Sequence, residues 1–445
     1  METMYPQKTD VIVVGGGLAG LSAASYLGRA GMTVTLFEKA ANLGGRAASR
    51  NYDGYWFNRG IHALYTGGAT SQVLRELGVS YQYGIPRTIF MLHEGKMEPF
   101  PASVPALLGS HLLTPVDKME MMRFFSTLPR LKAESMAHLS VEEWLERVTR
   151  RPRVRQVLAS ISWAFTYSAA LELVSAEVLI RKLQLTLKNP VHYIEGGWQT
   201  LVDGLRRVAE QAGVRIVSGH RVASVLYQSG ENQAAGVVQG VRLSNGDVLT
   251  ASHVLLATGP AEAVKLLDEG NYAPLRAIVD PLVPARVACL DVALKRLPDP
   301  RYPVVQDLDQ PRFLSAQSFY TRVAPEGGAV ISTFKQLHPL HSSEPQEDER
   351  ALEALLDEAQ PGWREVLIRR IFLPHMEAIG MLPLASSGGY AGRPGPLVPG
   401  IAHLYLAGDW IGEGFLSDPS LASARQVAQL VLQKRDLTLP VGVVS

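Results

Sequence analysis

The chain is poor in features that would assign it to several large classes. It has a single cysteine, Cys289, among its 445 residues, so no intramolecular disulfide can form. That usage fits a reducing compartment, and the apolar neighbours of Cys289 mark it as core. No run approaches the ~18 uninterrupted apolar residues of a membrane-spanning helix. METMYPQKTD at the start lacks the basic-then-apolar layout of a signal peptide, so a cytoplasmic location is expected. The net charge of +1 and the absence of long charge runs give no footprint for nucleic acid. Zinc, P-loop and serine-hydrolase motifs, low-complexity tracts and short-period repeats are missing too, and no metal ligands are expected.

What is present begins with DVIVVGGGLAGLSAASYLGRAGMTVTLFEK, residues 10–39. Val11 to Val14 form a short apolar run suited to a buried parallel strand. Gly15, Gly17 and Gly20 follow in GxGxxG register, and from Leu18 and Ala19 the pattern is helical with small residues. A second apolar run, Val34 to Phe37, ends at Glu38 and Lys39, near the ~20-residue spacing expected of a dinucleotide fold. Gly15 permits the tight turn, Gly17 lets a pyrophosphate approach the backbone, and Gly20 lets helix and strand pack closely. The helix N-terminus faces the phosphate charge. An acid at position 38 accepts from a ribose and suits FAD or NAD better than NADP, whose 2′-phosphate it would repel.

Further on, Gly44-Gly45-Arg46 follows Leu43, and GYWFNRGIHALYTGG occupies 54–68. An apolar run ends in Ala257-Thr258-Gly259, and LYLAGDW ends in Gly408-Asp409-Trp410 before a helix beginning at Asp418-Pro419. These motifs together resemble the FAD-dependent amine oxidase and phytoene desaturase superfamily, which includes the porphyrinogen oxidases. The family's arginine before the glycine pair is Asn42 here, and its frequent proline after Gly60 is Ile61.

The resemblance implies bound FAD. It places Gly44, Gly45 and Arg46 at the phosphates, Gly60 and Ile61 beside the flavin ring, and the Val222 backbone at the adenine. Ala257, Thr258 and Gly259 pass the cofactor, and Asp409 meets its ribityl or phosphate side. Phe415 and Leu416 lead into the last helix, whose N-terminus faces the flavin pyrimidine, where its partial positive charge would favour the anionic reduced flavin. Arg59 and His62 fall near the flavin or substrate. His62, Tyr390 and Trp410 are candidate site walls. Isolated on apolar flanks, His62 fits a satisfied core group as well as a proton carrier. A single GxGxxG gives no separate NAD(P)H domain.

The expected fold is α/β: a Rossmann-like FAD domain from residues 1–85, 190–260 and 382–445, interleaved with a mixed α+β substrate domain from 86–189 and 261–381. Ser140 and Glu143 read as a capping box. Met121, Met122, Phe125 and Leu128 make an apolar stripe, and Arg350 to about Gln360 reads as a helix after a polar loop. The resemblance adds peripheral membrane contact through the stripe region. The ending GDWIGEGFLSDPSLASAR resembles the phytoene-desaturase-like branch most. The expected function is therefore dehydrogenation of a lipophilic, isoprenoid-like substrate, with oxygen or a quinone as acceptor. Amine oxidation, porphyrinogen oxidation and a non-catalytic FAD scaffold are the alternatives.

Overall fold

The computed structural model describes residues 8–101, 103–229 and 235–433. The chain's first residues and the end of the expected nucleotide domain, 1–7 and 434–445, lie outside the described residues.

The apolar runs found in sequence become the centre of an eight-stranded sheet. Lys8–Val14 lies between Val34–Glu38 and Val248–Leu256, all parallel, and Arg215–Ser218 extends the parallel edge. Val248–Leu256 is the branch point of this sheet. Its last residues pair in parallel with Leu404–Leu406, and its first ones pair antiparallel with Gly236–Leu243, which continues to Val222–Gln228. Val11–Val14, Val34–Phe37 and His253–Leu256 are buried throughout, as expected of parallel strands covered on both faces. On one face, helices Leu18–Arg29, Gln199–Gln211 and Asp418–Gln433 pack through Leu21, Leu205 and Val427. Small residues in the first helix allow this close approach.

A second sheet of seven strands carries Leu367–Ile379, Ala285–Leu294 and Ala329–Gln336 at one side. Helices between Val104 and Lys188 cover part of it, and the capping boxes at Thr114 and Ser140 start two of them. Residues 263–282 do not join this second core. Ala263, Leu266, Leu267 and Leu275 pack under the first sheet, and the chain changes cores between Leu282 and Val283. The crossover therefore falls about 20 residues after the sequence boundary at 261, because apolar spacing says nothing about which core receives it.

Two local expectations also change. The helix read from Arg350 starts at Pro345, since proline suits a first helical turn and Glu347 and Asp348 follow it there. The apolar stripe divides. Met121 and Leu128 are buried with Phe124, whereas Met122 is exposed beside Val116 and Met119 on the same helix.

Candidate functional site

The parallel strands end on one side, and the segments leaving them meet there. Gly15, Lys39, Ala257 and Gly408 all line a cavity of about 420 Å3. A crevice at the carboxyl ends of parallel strands is where open α/β sheets bind ligands.

The glycine turn is built for backbone contact. Gly15 has φ +112°, and a Cβ on it would lie 2.4 Å from Ala257 O. A Cβ on Gly20 would come within 1.9 Å of Gly15 O, so this glycine serves packing and does not line the cavity. Gly17 differs: its nearest neighbour would be Gly44 O at 3.9 Å, in open cavity space. Gly44 N donates to Gly16 O at 2.8 Å, which joins the GGR turn to the first fingerprint. Leu18 and Ala19, the first residues of the helix, line the cavity beside Gly44, Gly45 and Arg46.

Glu38 accepts from Gly16 N at 2.7 Å and from Ala40 N at 2.8 Å. The carboxylate thus fixes the turn and keeps acceptor capacity for a ribose. Nearby, Glu262 pairs with Lys39 at 3.1 Å and Arg221 at 3.2 Å. Burial pushes its carboxyl up, but these cations outweigh burial and hold it below its ordinary range. Val222, His220 and Lys265 complete this charged part of the wall.

Arg46 bonds Asp409 and lies 3.6 Å from Glu377. Burial alone would lower the guanidinium's pKa; Asp409 reverses that and raises it. Asp409 also accepts from Gly380 N at 2.7 Å. Three buried donors on the wall have no hydrogen-bond partner: Arg46 Nη1, Thr258 Oγ1 and Trp198 Nε1. Orphaned donors, an uncapped helix start and the open face of Gly17 fit a polar, anionic ligand with a dinucleotide's form. Among the described residues, no group of three His, Cys, Asp or Glu side chains could hold a metal ion.

Another part of the wall is apolar: Ile61, Tyr167, Val287, Cys289, Met376 and Leu416. Tyr167 and Leu416 hold left-handed φ values of 54° and 59°, which are costly for bulky residues and cluster at functional sites. His62 also lines the cavity, edge-on to Trp198 at 5.0 Å. Its Nδ1 lies 2.9 Å from Gly60 O and its Nε2 3.1 Å from Arg46 O. Carbonyls only accept, so satisfying both needs the doubly protonated ring, while burial lowers the imidazole pKa. The neutral ring donates to one carbonyl and faces the other with its lone pair.

Gly259 and Arg59 line the cavity as well. Gly60, Phe415, Tyr390 and Trp410 do not. Gly60 lies behind the wall against Met376 and Cys289, and Phe415 is buried in the second core. Tyr390 is buried among residues of the helical layer, with Arg181 over its ring at 5.7 Å. Trp410 points into the first core and donates Nε1–H to Thr258 O at 2.9 Å. As candidate site walls, these two aromatics are displaced by their own packing.

The sequence reading passed over Tyr167, Trp198, Met376 and Cys289 as wall residues. Strand alternation held the signal for Cys289. Val287 and Cys289 face one way, and Ala288, Leu290 and Val292 pack in a separate core on the other side. Which face met a cavity was not visible without the partner segments.

The family described as flavin containing amine oxidoreductase matches residues 18–282. Phytoene desaturase of Cercospora nicotianae is 27% identical over 285 residues, covering 56% of this chain and 45% of that protein. The chloroplastic/chromoplastic 15-cis-phytoene desaturase of Narcissus pseudonarcissus is 29% identical over 311 residues, 62% of this chain and 52% of that protein. The chain thus spans about half the length of these curated relatives. An oxidoreductase structure from Methanosarcina mazei has a TM-score of 0.76 at 20% identity, covering 94% of this chain and 99% of that one. That likeness establishes the fold.

Proposed function

This chain belongs to the flavin containing amine oxidoreductase family, and we propose that it is an FAD-dependent oxidoreductase that dehydrogenates a lipophilic substrate of isoprenoid-like character. The observation that carries this reading is one cavity with two kinds of wall. The glycine-lined, charged part suits a dinucleotide. The apolar part around Ile61, Tyr167, Val287 and Met376 suits a hydrocarbon.

The chemistry that bound FAD would supply is acceptance of two electrons, formally a hydride from one substrate carbon while the adjacent carbon gives up a proton to solvent, so that a new double bond forms, and later passage of the electrons to oxygen or a quinone. The chain's own residues do the rest. Gly17, Gly44 and the start of the first helix hold the diphosphate, Glu38 the ribose, and Arg46 and Thr258 offer their free donors. His62 donates to one of the two carbonyls beside it, Gly60 O or Arg46 O, and so anchors its ring on this part of the wall. Ile61, Val287 and Met376 exclude water from the reacting carbon.

The lysines on the wall, Lys39 and Lys265, belong with the charged part near Glu262. The apolar part, around Cys289 and Met376, has no lysine among the described residues that line it. Access from a membrane surface is supported by Val104, Leu108, Val116 and Met119, exposed apolar residues on two consecutive helices. No helix among the described residues is long and apolar enough to cross a membrane. A second reading, oxidation of an amine, is favoured by the two aromatic residues on the wall, Tyr167 and Trp198.

The test begins with the visible spectrum of purified protein. Flavin bands are expected, with FAD released on denaturation; a colourless protein that cannot be reconstituted overturns the reading. Anaerobic bleaching by a polyene precursor in liposomes, and none by amines, is then expected. Bleaching by amines alone would transfer the function to the second reading. Flavin that no substrate reduces would mark a binding scaffold.

A further inference from the structure

A buried arginine behind the cavity is left unused by the functional reading. Arg393 lies in the segment that leads from the helical layer, at Tyr390, to the first core, at Val398. That segment runs beside the strand and loop of the Gly-Asp motif. Leu406 N–H donates to Pro396 O and Gly412 N–H to Pro394 O, both at 2.8 Å. Alongside these contacts the Arg393 guanidinium reaches across. Nη2 donates to Asp409 O and Nη1 to Gly414 O, while Nε has no partner.

The two carbonyls stand at the two ends of one loop, residues 409–414. Among the described residues, no backbone amide of a turn or loop donates to either of them. A carbonyl turned away from water needs a donor, and here one planar fork serves both. Gly412 and Gly414, at φ +70° and +108°, give the loop a conformational freedom that the two bonds remove.

Arg393 is itself anchored from behind. Its N–H donates to Tyr390 O at 3.2 Å, and Tyr390 N–H donates to Glu177 Oε2 at 3.1 Å. Glu177 is buried on the helix Ala176–Lys188, and its other oxygen accepts from Arg181 Nε at 2.8 Å. The helical layer therefore holds the arginine, and the arginine holds the loop. At the first residue of that loop, the Asp409 carboxylate meets Arg46 and Gly380 N–H. Just past its end, Leu416 takes its left-handed φ and lines the cavity with Ser417 and Ser420.

We propose that Arg393 is a positioning residue: its grip on both ends of the 409–414 loop sets where Asp409 and the start of the last helix stand against the bound cofactor. The proposal rests on the FAD reading of the cavity. An arginine does not lose its proton in a protein, so the grip is independent of pH. Lysine is a poor substitute, because an ammonium is a point donor that cannot span both carbonyls as the fork does.

FAD titration and hydrogen exchange of the apoprotein test this, each well below the unfolding midpoint of the variant. In Arg393→Met, which fills the space without donors, FAD affinity should fall at least about tenfold. Exchange of the peptide covering 408–417 should quicken by a similar factor, while that of 285–294 keeps its wild-type rate. Arg393→Lys should recover part of the affinity, with a loss of about threefold, and serves if the first variant does not fold. Wild-type affinity in either variant, with or without faster exchange of the loop, overturns this proposal alone, since the bonds then serve stability only. A wild-type chain that binds no FAD overturns the cofactor reading and this role with it.

Discussion

Arg46 and Asp409 stand 363 positions apart in the chain and share a hydrogen bond at the cavity wall. The pair ties the GGR turn, near the first fingerprint, to the Gly-Asp that precedes the last helix. Removing Asp409 would leave Arg46 with Glu377 at 3.6 Å and Gly380 N–H without its acceptor. Asp409→Ala should therefore cost about 2–3 kcal/mol. In a double-mutant cycle with Arg46→Ala the two should couple by about 1–3 kcal/mol. Additive effects in denaturant unfolding would show that the contact is incidental.

The last two glycines of the GxGxxG motif, one with an open face and one with a closed face, should separate binding from folding. Gly17→Ala puts a methyl into cavity space, so stability should change by no more than about 0.5 kcal/mol. FAD affinity should fall at least about tenfold, or ~1.4 kcal/mol. Gly20→Ala forces a Cβ against Gly15 O and should cost about 3 kcal/mol of stability. Calorimetric titration with FAD and thermal unfolding of both variants check this; wild-type affinity in Gly17→Ala would contradict the placement of the diphosphate.

Lys182 is 4% exposed, with Nζ 3.4 Å from the centre of the Tyr65 ring. Burial lowers its pKa from 10.5 to about 8, with Asp418 opposing weakly. The folded chain therefore releases this proton more readily than the unfolded one. The destabilisation is full below pH 8 and fades as pH rises toward 10.5. Lys182→Met should stabilise the protein at pH 7 by about 1–2 kcal/mol, the desolvation gain less the lost cation–π contact. The gain should shrink between pH 8 and 10. Melting curves at both ends read the difference, and a gain that grows with pH would reverse the assignment.

Trp410 belongs to the core despite its position beside Gly408-Asp409. Trp410→Phe loses the bond to Thr258 O and should cost about 1 kcal/mol of stability. FAD affinity should stay within about threefold, because the ring does not line the cavity. A larger loss of FAD with unchanged stability would return Trp410 to the binding site.

The sequence by itself determined what depends on neighbours along the chain. Strand, tight turn, helix and acid at 10–39 are local, since φ at Gly15 and the packing of Gly20 follow from residues a few positions away or from the strand that must lie alongside. The capping box at Ser140 is local for the same reason. Only the tertiary structure decided which faces meet. Alternation along 285–294 marks two faces, but nothing in it says that one holds Cys289 against the Gly60 turn. Trp410 and Tyr390 sit near recognisable motifs, yet each turns into a core, because a ring's direction is set by the space that distant segments leave for it. Contacts such as Arg46 with Asp409 exist only once the sheet has brought its strands' carboxyl ends together, and that assembly is a property of the whole fold.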